Sequence, residues 1–149
     1  MNRYFKVVTN SYRKTAGDIT LPTRATKSSI AYDFYAPIDT VVPSMQSAMI
    51  WTDVKAKFNP DEALLINVRS SMGKQPIMLA NTQGWIESDY YSNSDNDGNI
   101  GIRLFNLGAT PYEIKAGDRI AQGMFIKYLV ADNGNTDVKR QGGFGSSGK

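Results

Sequence analysis

The stretch Ile120-Ala121-Gln122-Gly123-Met124-Phe125-Ile126-Lys127-Tyr128-Leu129 decides the fold class of this 149-residue chain. It is rich in apolar, β-branched and aromatic residues, a composition that is typical of an extended strand. Shorter runs of the same kind precede it at Phe5–Val8, Ala31–Tyr35, Ala48–Val54, Leu64–Val68 and Ile100–Phe105. Because turn-forming clusters separate these short runs, the sequence predicts an all-β domain, a sandwich or barrel, rather than alternating βαβ units.

Two segments depart from the strand pattern. Ser71–Gln75 can form one short helix with Ser70 as its cap, which Pro76 would end. Ser92–Asn99 reads SNSDNDGN, and because it has no apolar residue it is predicted to be an exposed loop.

The C-terminal end differs in composition from the rest. Gln141–Lys149 reads QGGFGSSGK, and its Gly and Ser residues are typical of a flexible arm. We therefore divide the chain into a β domain over residues 1–138 and a C-terminal arm over residues 139–149.

The composition excludes several kinds of chemistry. The chain has no Cys and no His, which excludes thiol nucleophiles, disulfides, Ser-His-Asp triads and zinc or iron centres built from these residues. An enzyme of this composition must use carboxylates, hydroxyls, amides and Lys or Arg, with at most a hard cation bound through oxygen. This is the chemistry of phosphate and water.

Charge and hydropathy narrow the choice of partners. The net charge is +3, from 17 Lys and Arg against 14 Asp and Glu, and the basic residues are scattered, so we predict no nucleic-acid partner. No apolar run reaches the length of a membrane span, and the N-terminus lacks the apolar region of a signal peptide. The sequence predicts a soluble, cytoplasmic protein with no membrane partner.

Several segments carry side chains suited to phosphate chemistry. In Gly84–Tyr90, Glu87 and Asp89 are two residues apart, so on a strand both would face one side. In Gly142–Gly148 the glycines free the backbone to wrap around phosphate oxygens. Asp33 is an acid inside an apolar strand and must be paired, at a strand end, or binding something. Each feature taken singly also has a structural explanation. The two acids can belong to a solvated hairpin, the glycines to a linker-like terminus and Asp33 to a structural ion pair.

The order of the segments is more specific than any one of them. The chain resembles the trimeric dUTP pyrophosphatases (dUTPases) over roughly residues 18–148, and their five ordered motifs match Ala31–Ala36, Arg69–Gly73, Asn81–Tyr90, Gly117–Gln122 and Gly142–Gly148. The resemblance implies a β jelly roll and a homotrimer with active sites shared between subunits. It also implies Mg²⁺-assisted hydrolysis of dUTP to dUMP and pyrophosphate, which controls the balance of dUTP and dTTP.

The resemblance also implies roles for the residues of the third motif. Glu87 stands where the family usually has an Asp, and it would activate the water that attacks the α-phosphorus, with Asp89 in support. The main chain of the hairpin at Asn81, Gly84 and Ile86 would bind uracil. Tyr90 would pack under the deoxyribose and exclude a 2′-hydroxyl.

The remaining motifs imply contacts to phosphates and metal. Residues implied to lie at or near the phosphates are Arg69, Ser70, Ser71, Gln122, Arg140, Gly145, Ser146 and Ser147. The family usually has an Arg where Lys139 stands, and we assign Arg140 because its guanidinium can bind phosphate in a bidentate fashion. Phe144 would stack on uracil. Asp33 would approach Mg²⁺ through water, with the metal otherwise held by the substrate phosphates.

Ser92–Asn99 is an insertion relative to the family pattern. It is either an inert surface insertion or a loop that binds a protein partner; the second interpretation rests on the resemblance to certain virus- or phage-encoded relatives, which carry additional segments at this position. Together with Glu87, it leaves open a regulatory protein-binding module with weak or no catalysis. The enzymatic alternative is a dCTP deaminase, which shares the fold and trimer, although no segment here resembles the catalytic glutamate motif of that family.

Overall fold

The computed structural model describes residues 3–145, which form strands joined by turns and short 3-10 helices. The strands are β1 (Tyr4–Val7), β2 (Tyr32–Tyr35), β3 (Thr40–Val42), β4 (Ser47–Trp51), β5 (Val54–Lys57), β6 (Glu62–Asn67), β7 (Ile77–Leu79), β8 (Gly84–Glu87), β9 (Gly101–Asn106), β10 (Tyr112–Ile114) and β11 (Arg119–Lys127). The 3-10 helices span Asn10–Tyr12, Ser70–Lys74 and Ser88–Tyr90. The predicted all-β class is confirmed. Within the described range, no helix is long and apolar enough to cross a membrane.

Antiparallel pairing brings together strands that are distant in sequence. One sheet has the order β2-β11-β6-β8 and another the order β4-β9-β7, while β1 pairs with β5 and β3 with β10. These crossovers between distant strands give the predicted jelly-roll-like arrangement. In the four-stranded sheet, Gln122 on β11 lies between Asp33 on β2 and Asn67 on β6. The topology therefore places the first and fourth motifs side by side, next to the strand that leads into the second motif.

The core lies between the two larger sheets. Fully buried apolar side chains from both sheets fill it, among them Phe34, Leu64, Ile66, Ile102 and Leu104. Each such side chain stabilises the fold by about 1.5–3 kcal/mol relative to leaving it exposed. This packing fixes the register of β6 and β11, on which the candidate site is built.

The predicted strand over residues 48–54 is wrong in one respect, because it is broken in two at Asp53. This residue has a φ of +54°, which ends β4 and redirects the chain into β5. Its fully buried carboxylate accepts the backbone N–H groups of Lys14 at 2.9 Å and Thr15 at 3.0 Å, and the side-chain amide of Asn99 at 2.8 Å. These bonds hold the left-handed turn in place.

The prediction that Ser92–Asn99 is an exposed loop is also wrong in part, because its second half, residues 96–99, is buried. The carboxylate of Asp97 accepts hydrogen bonds from Lys55 Nζ at 2.7 Å and from Thr9 Oγ1 at 2.6 Å. Burial raises the pKa of Asp97, but the hydrogen bonds from Lys55 and Thr9 outweigh it and lower the pKa to about 2. A polar segment is buried here because its partners are supplied by β5 and the N-terminal segment.

Strand β8 is an edge of the four-stranded sheet and carries an exposed aromatic side chain. Trp85 is 59% exposed, whereas its neighbour on the other face, Ile86, is half-buried and pairs with Leu64. The alternation follows from the period of a strand that has one face against the core.

Candidate functional site

The third motif runs through a turn into β8. The predicted hairpin is wrong in its pairing, because β7 pairs with β9 and β8 pairs with β6, so the two strands lie in different sheets. We refer to residues 81–90, the turn with β8 and the 3-10 turn after it, as the hairpin. Its turn exposes Asn81 and Thr82, and Thr82 has a left-handed φ of +63°. A Cβ added at Gly84 would lie 3.0 Å from Cβ of Ile66, so glycine lets β8 approach β6 closely. Gln83 Nε2 donates to Asn67 Oδ1 at 3.1 Å and ties the turn to β6. The hairpin is thus anchored along one side, with its turn open to solvent.

Two carboxylates of the hairpin converge on one cation. The strand ends at Glu87 and a 3-10 turn follows, so the prediction that Glu87 and Asp89 share one face of a strand is wrong. They nevertheless meet, because Arg140 of the arm pairs with Glu87 and donates through Nε to Asp89 Oδ1 at 2.9 Å. The two carboxylates are more than half exposed, whereas the Arg140 side chain is 8% exposed. The guanidinium is therefore enclosed and the acids remain accessible to solvent.

Tyr90 forms the floor beneath this ion-pair cluster. Its hydroxyl donates to the carbonyl of Asn99 and accepts from Nδ2 of Asn96, both at 2.8 Å. Burial raises the pKa of Tyr90, so the phenol stays protonated at neutral pH. The guanidinium of Arg140 lies 5.7 Å from the ring centroid, within the range of a cation–π contact. Sequence reasoning missed Asn96, whose amide fixes this ring.

The arm lies against the hairpin and the loop of the same chain. The backbone N–H of Gly143 donates to Asp95 Oδ2 at 2.8 Å, and Ser94 Oγ donates to the carbonyl of Gln141 at 2.8 Å. The ring of Phe144 is 59% exposed. A cavity of about 750 Å³ is lined by Glu87 and Asp89 on one side and by Lys139, Arg140 and Gln141 of the arm on the other.

Of the other predicted arm residues, Gly145 has a φ of +73°, a conformation that glycine adopts without strain. Ser146 and Ser147 lie outside the described residues.

A second cluster forms at the end of β6, around Asp33. Oδ1 of Asp33 accepts from Arg69 Nε at 2.8 Å, and Oδ2 accepts from Arg119 Nη1 at 3.3 Å. Arg69 also donates to Ser71 Oγ at 3.3 Å, and Gln122 Nε2 donates to the carbonyl of Val68 at 3.3 Å. Sequence reasoning missed Arg119, although it lies within the fourth motif.

The helix at this cluster differs from the prediction. It is a 3-10 helix that begins at Ser70, with Arg69 at the cap position and no side-chain capping bond. Ser70 is therefore not the cap, and both Ser70 and Ser71 are exposed to solvent. Their hydroxyls are available to an incoming polar group.

The two clusters are well separated along β6. Glu87 lies opposite Ala63, whereas Gln122 lies opposite Asn67 four residues farther along the strand. At 3.3 Å per residue this is roughly 13 Å, and Ser70 lies beyond Asn67. Within one protomer, the Glu87 cluster and the Ser70 cluster cannot contact the same phosphorus.

A metal ion has no ready-made protein cage in the described part of the chain. Residues 3–145 contain no group of three or more acidic side chains placed to hold one. Both oxygens of Asp33 already accept from arginines, which gives this carboxylate a structural role.

Comparisons with known proteins agree with this geometry. A family model described as dUTPase matches residues 17–148. The chain is 38% identical over 149 residues to a deoxyuridine 5′-triphosphate nucleotidohydrolase of Lactococcus lactis, covering 98% of this chain and 97% of that relative. The fold is similar to the crystal structure of a dUTPase from Streptococcus mutans, with a TM-score of 0.76, 29% identity and coverage of 87% and 98% of the two chains. It is also similar to a dUTPase from phage phi11 of S. aureus, with a TM-score of 0.73 and coverage of 93% and 97%; at 17% identity this likeness concerns the fold alone.

Proposed function

Because this chain belongs to the dUTPase family, we propose that it hydrolyses dUTP to dUMP and pyrophosphate. The observation that carries the proposal is the hairpin end, where Glu87 and Asp89 pair with Arg140, whose guanidinium lies over the buried ring of Tyr90. Carboxylates that are accessible to water, next to a cation that can bind phosphate, are the groups that hydrolysis of a phosphoanhydride requires.

Glu87 is the proposed general base. Its carboxylate is 62% exposed, so a water molecule can reach it. In the proposed step Glu87 takes a proton from that water, and the oxygen attacks the α-phosphorus in line. The bond from the α-phosphorus to the bridging oxygen breaks, and pyrophosphate leaves. Asp89 supports the arrangement by sharing Arg140.

The hairpin is the proposed nucleoside site. Main-chain groups at Asn81, Gly84 and Ile86 would pair with the polar edge of uracil, in a pocket too narrow for a 5-methyl group and mismatched to the amino group of cytosine. Tyr90 would pack against the deoxyribose. Two hydrogen bonds hold its ring, which supports discrimination against a 2′-hydroxyl, because the ring cannot easily yield to extra bulk.

The second cluster is the proposed phosphate site. The hydroxyls of Ser70 and Ser71, which are exposed, and the half-buried amide of Gln122 would donate to phosphate oxygens. Arg69 would add positive charge while it remains anchored on Asp33. Mg²⁺ would enter with the triphosphate and neutralise charge on the leaving pyrophosphate.

The separation of the two clusters supports a homotrimer with shared active sites. Roughly 13 Å of β6 separates the levels of Glu87 and Gln122 within one protomer, so an α-phosphorus that meets both Glu87 and Ser70 would need the hairpin of one copy and the Ser70 cluster of another. We propose that a trimer supplies both.

The arm, residues 139–149, is the proposed lid on the β domain formed by residues 1–138. Phe144 would stack on uracil, an assignment supported by its exposed ring. Arg140, Gly145, Ser146 and Ser147 would hold the outer phosphates. Arg140 now pairs with Glu87, so binding would transfer the guanidinium from the carboxylates to the triphosphate. Nucleoside triphosphates are intracellular substrates, and the cytoplasm stays the predicted location.

One assay tests the activity. Pyrophosphate release is measured with dUTP, UTP, dCTP and dTTP in Mg²⁺, for the full chain and for a chain that ends at Arg140. We expect hydrolysis of dUTP alone, largely lost in the shortened chain. Ammonia release from dCTP would instead indicate a deaminase. Binding of dUTP without turnover would indicate a regulatory module, and either result would overturn the proposal.

A labelling experiment and one variant test the mechanism. In water enriched in ¹⁸O, the label should appear in dUMP and not in pyrophosphate. Glu87→Gln should lower kcat by about 10²–10⁴-fold, the usual contribution of a general base. Glu113→Gln, a change of the same kind at an exposed position on β10, is the matched control. A Glu87→Gln enzyme with normal kcat would show that another group activates the water.

A further inference from the structure

The loop Ser92–Asn99 offers a preformed surface to the arm. Asp95 accepts the backbone N–H of Gly143, and Ser94 donates to the carbonyl of Gln141, both at 2.8 Å. A Cβ added at Gly143 would lie 3.0 Å from Asn96 Nδ2, so the arm passes this point as bare backbone. Polar contacts and close packing thus occur on the same face of the loop.

This surface is rigid because the loop is fixed from beneath. Asp97 is paired with Lys55, and both side chains are nearly buried. Asn93 donates through Nδ2 to the carbonyl of Tyr90 and to Oδ1 of Asn96, both at 2.8 Å. The loop is therefore part of the folded domain, and the arm binds to it without having to order it first.

Asn96 connects the loop to the proposed nucleoside site. The amide nitrogen of Asn96 that a Cβ at Gly143 would approach donates to the hydroxyl of Tyr90. An arm bound to this loop therefore lies at a fixed position relative to the ring on which the sugar would rest. Arg140, three residues before Gly143, lies over that ring at 5.7 Å.

We propose that Ser92–Asn99 is the docking surface for the C-terminal arm and that Asp95 is a positioning residue. Its carboxylate holds Gly143 so that Arg140 and Phe144 lie at the active site. The role in positioning rests on the proposed hydrolysis of dUTP. A Gly-rich arm loses much conformational freedom when it is ordered, and a charge-assisted hydrogen bond on a rigid surface offsets part of that loss.

Kinetics of two variants test the positioning role. Asp95→Ala removes the acceptor for Gly143, whereas Asp95→Asn keeps an oxygen there. We expect KM for dUTP to rise about tenfold in Asp95→Ala, the scale of one hydrogen bond to a charged group, and to stay within about twofold of wild type in Asp95→Asn. Glu113→Ala, the loss of an exposed carboxylate on β10, is the matched control. Equal KM values for Asp95→Ala and wild type would show that Asp95 does not position the arm for the reaction.

Crosslinking tests the docking without reference to activity. The chain has no Cys, so Ser94→Cys with Gln141→Cys introduces the sole thiols. A short bifunctional maleimide should link them, and adding Asp95→Ala should lower the yield severalfold. The pair Glu113→Cys with Gln141→Cys is the control. A product of one-chain mass supports docking within the protomer, and one of two-chain mass supports the same docking between copies. No product above the control would overturn the proposal.

The two experiments separate the possible failures. If wild type does not hydrolyse dUTP, the proposed function fails, while crosslinking still decides whether the arm docks on this loop. If wild type hydrolyses dUTP and Asp95→Ala loses the crosslink with no change in KM, the arm docks but Asp95 does not position it for the reaction.

Discussion

The guanidinium of Arg140 is paired with the carboxylate of Glu87, so a proposed phosphate ligand and the proposed general base are in contact before substrate enters. Arg140 is enclosed between this acid, Asp89 and the ring of Tyr90. The ion pair holds the guanidinium of Arg140 beside the carboxylate of Glu87. A triphosphate that binds there meets a positive charge already in place, and by drawing Arg140 away it leaves Glu87 open to water.

Arg140 and its neighbour Lys139 can be distinguished as phosphate ligands. We expect Arg140→Ala to lower kcat/KM for dUTP by about 10–100-fold, because it removes charge-assisted hydrogen bonds from the site. Lys139→Ala, the loss of the same charge one residue earlier, should have a much smaller effect. Steady-state kinetics at fixed ionic strength measure both. If Lys139→Ala proves the more damaging change, the family's usual register holds and Lys139 binds the phosphate.

Asp33 can be assigned to structure or to metal by one substitution. Asp33→Asn removes the charge that Arg69 and Arg119 share, and we expect the free energy of unfolding to fall by about 1–3 kcal/mol. The Mg²⁺ concentration for half-maximal activity should stay unchanged. Asp61→Asn, which removes an exposed partner of Lys127, is the control. A raised Mg²⁺ requirement with unchanged stability would support the predicted contact to Mg²⁺ through water instead.

The buried pair of Lys55 and Asp97 should contribute strongly to stability. Lys55→Met leaves the Asp97 carboxylate without its cation, and we expect the free energy of unfolding to fall by about 3 kcal/mol. The control is Lys57→Met, at an exposed position two residues along β5, which should change the free energy of unfolding by less than about 0.5 kcal/mol. Denaturant unfolding at one protein concentration makes the comparison. Similar losses in the two variants would show that the ion pair contributes little.

The same pair predicts a pH dependence. The pKa of Asp97 in the folded protein is about 2, below its ordinary value of 3.8. A lowered acid pKa contributes stability that is fully present above pH 3.8 and is lost as the pH falls towards 2; here it amounts to about 2 kcal/mol. The stability difference between wild type and Lys55→Met should therefore narrow over that interval. A difference that stays constant down to pH 2 would contradict the assignment.

Gly84 should be required by packing rather than by backbone conformation. A Cβ at this position would lie 3.0 Å from Cβ of Ile66, so Gly84→Ala should destabilise the domain by about 1–3 kcal/mol. Gly73→Ala is the control, because no atom lies within 4 Å of its added Cβ. We expect that variant to be neutral or slightly more stable. Thermal unfolding measures the stabilities of the two variants. Equal stabilities would show that β8 can shift away from β6 and accept the added Cβ.

The strands that sequence alone predicts are the ones whose periodicity reflects burial on the sheet. β6 and β11 fall within about two residues of the predicted runs because their apolar side chains face the core. The three-residue strands β3, β7 and β10 are too short to show a period, and the sequence did not predict them as strands. Their pairing depends on partners distant in the chain.

The polar part of the site was harder to predict for the same reason. The Asn- and Asp-rich composition of residues 92–99 indicates a loop, but the burial of Asp97 depends on Lys55, 42 positions away. Likewise, Glu87 and Asp89 meet through Arg140 and not through strand geometry. A motif identifies such residues by order, whereas their contacts follow from tertiary packing.

The exposed indole at the edge of the four-stranded sheet is a natural optical reporter. Trp85 lies between two residues of the proposed uracil hairpin, and its ring is 59% exposed. Its emission should shift to shorter wavelength and change in intensity when a nucleotide or another copy of the chain displaces water from that ring. Trp51, half-buried on β4, supplies the constant background. Occupancy of this pocket can thus be followed in the unlabelled protein by fluorescence alone.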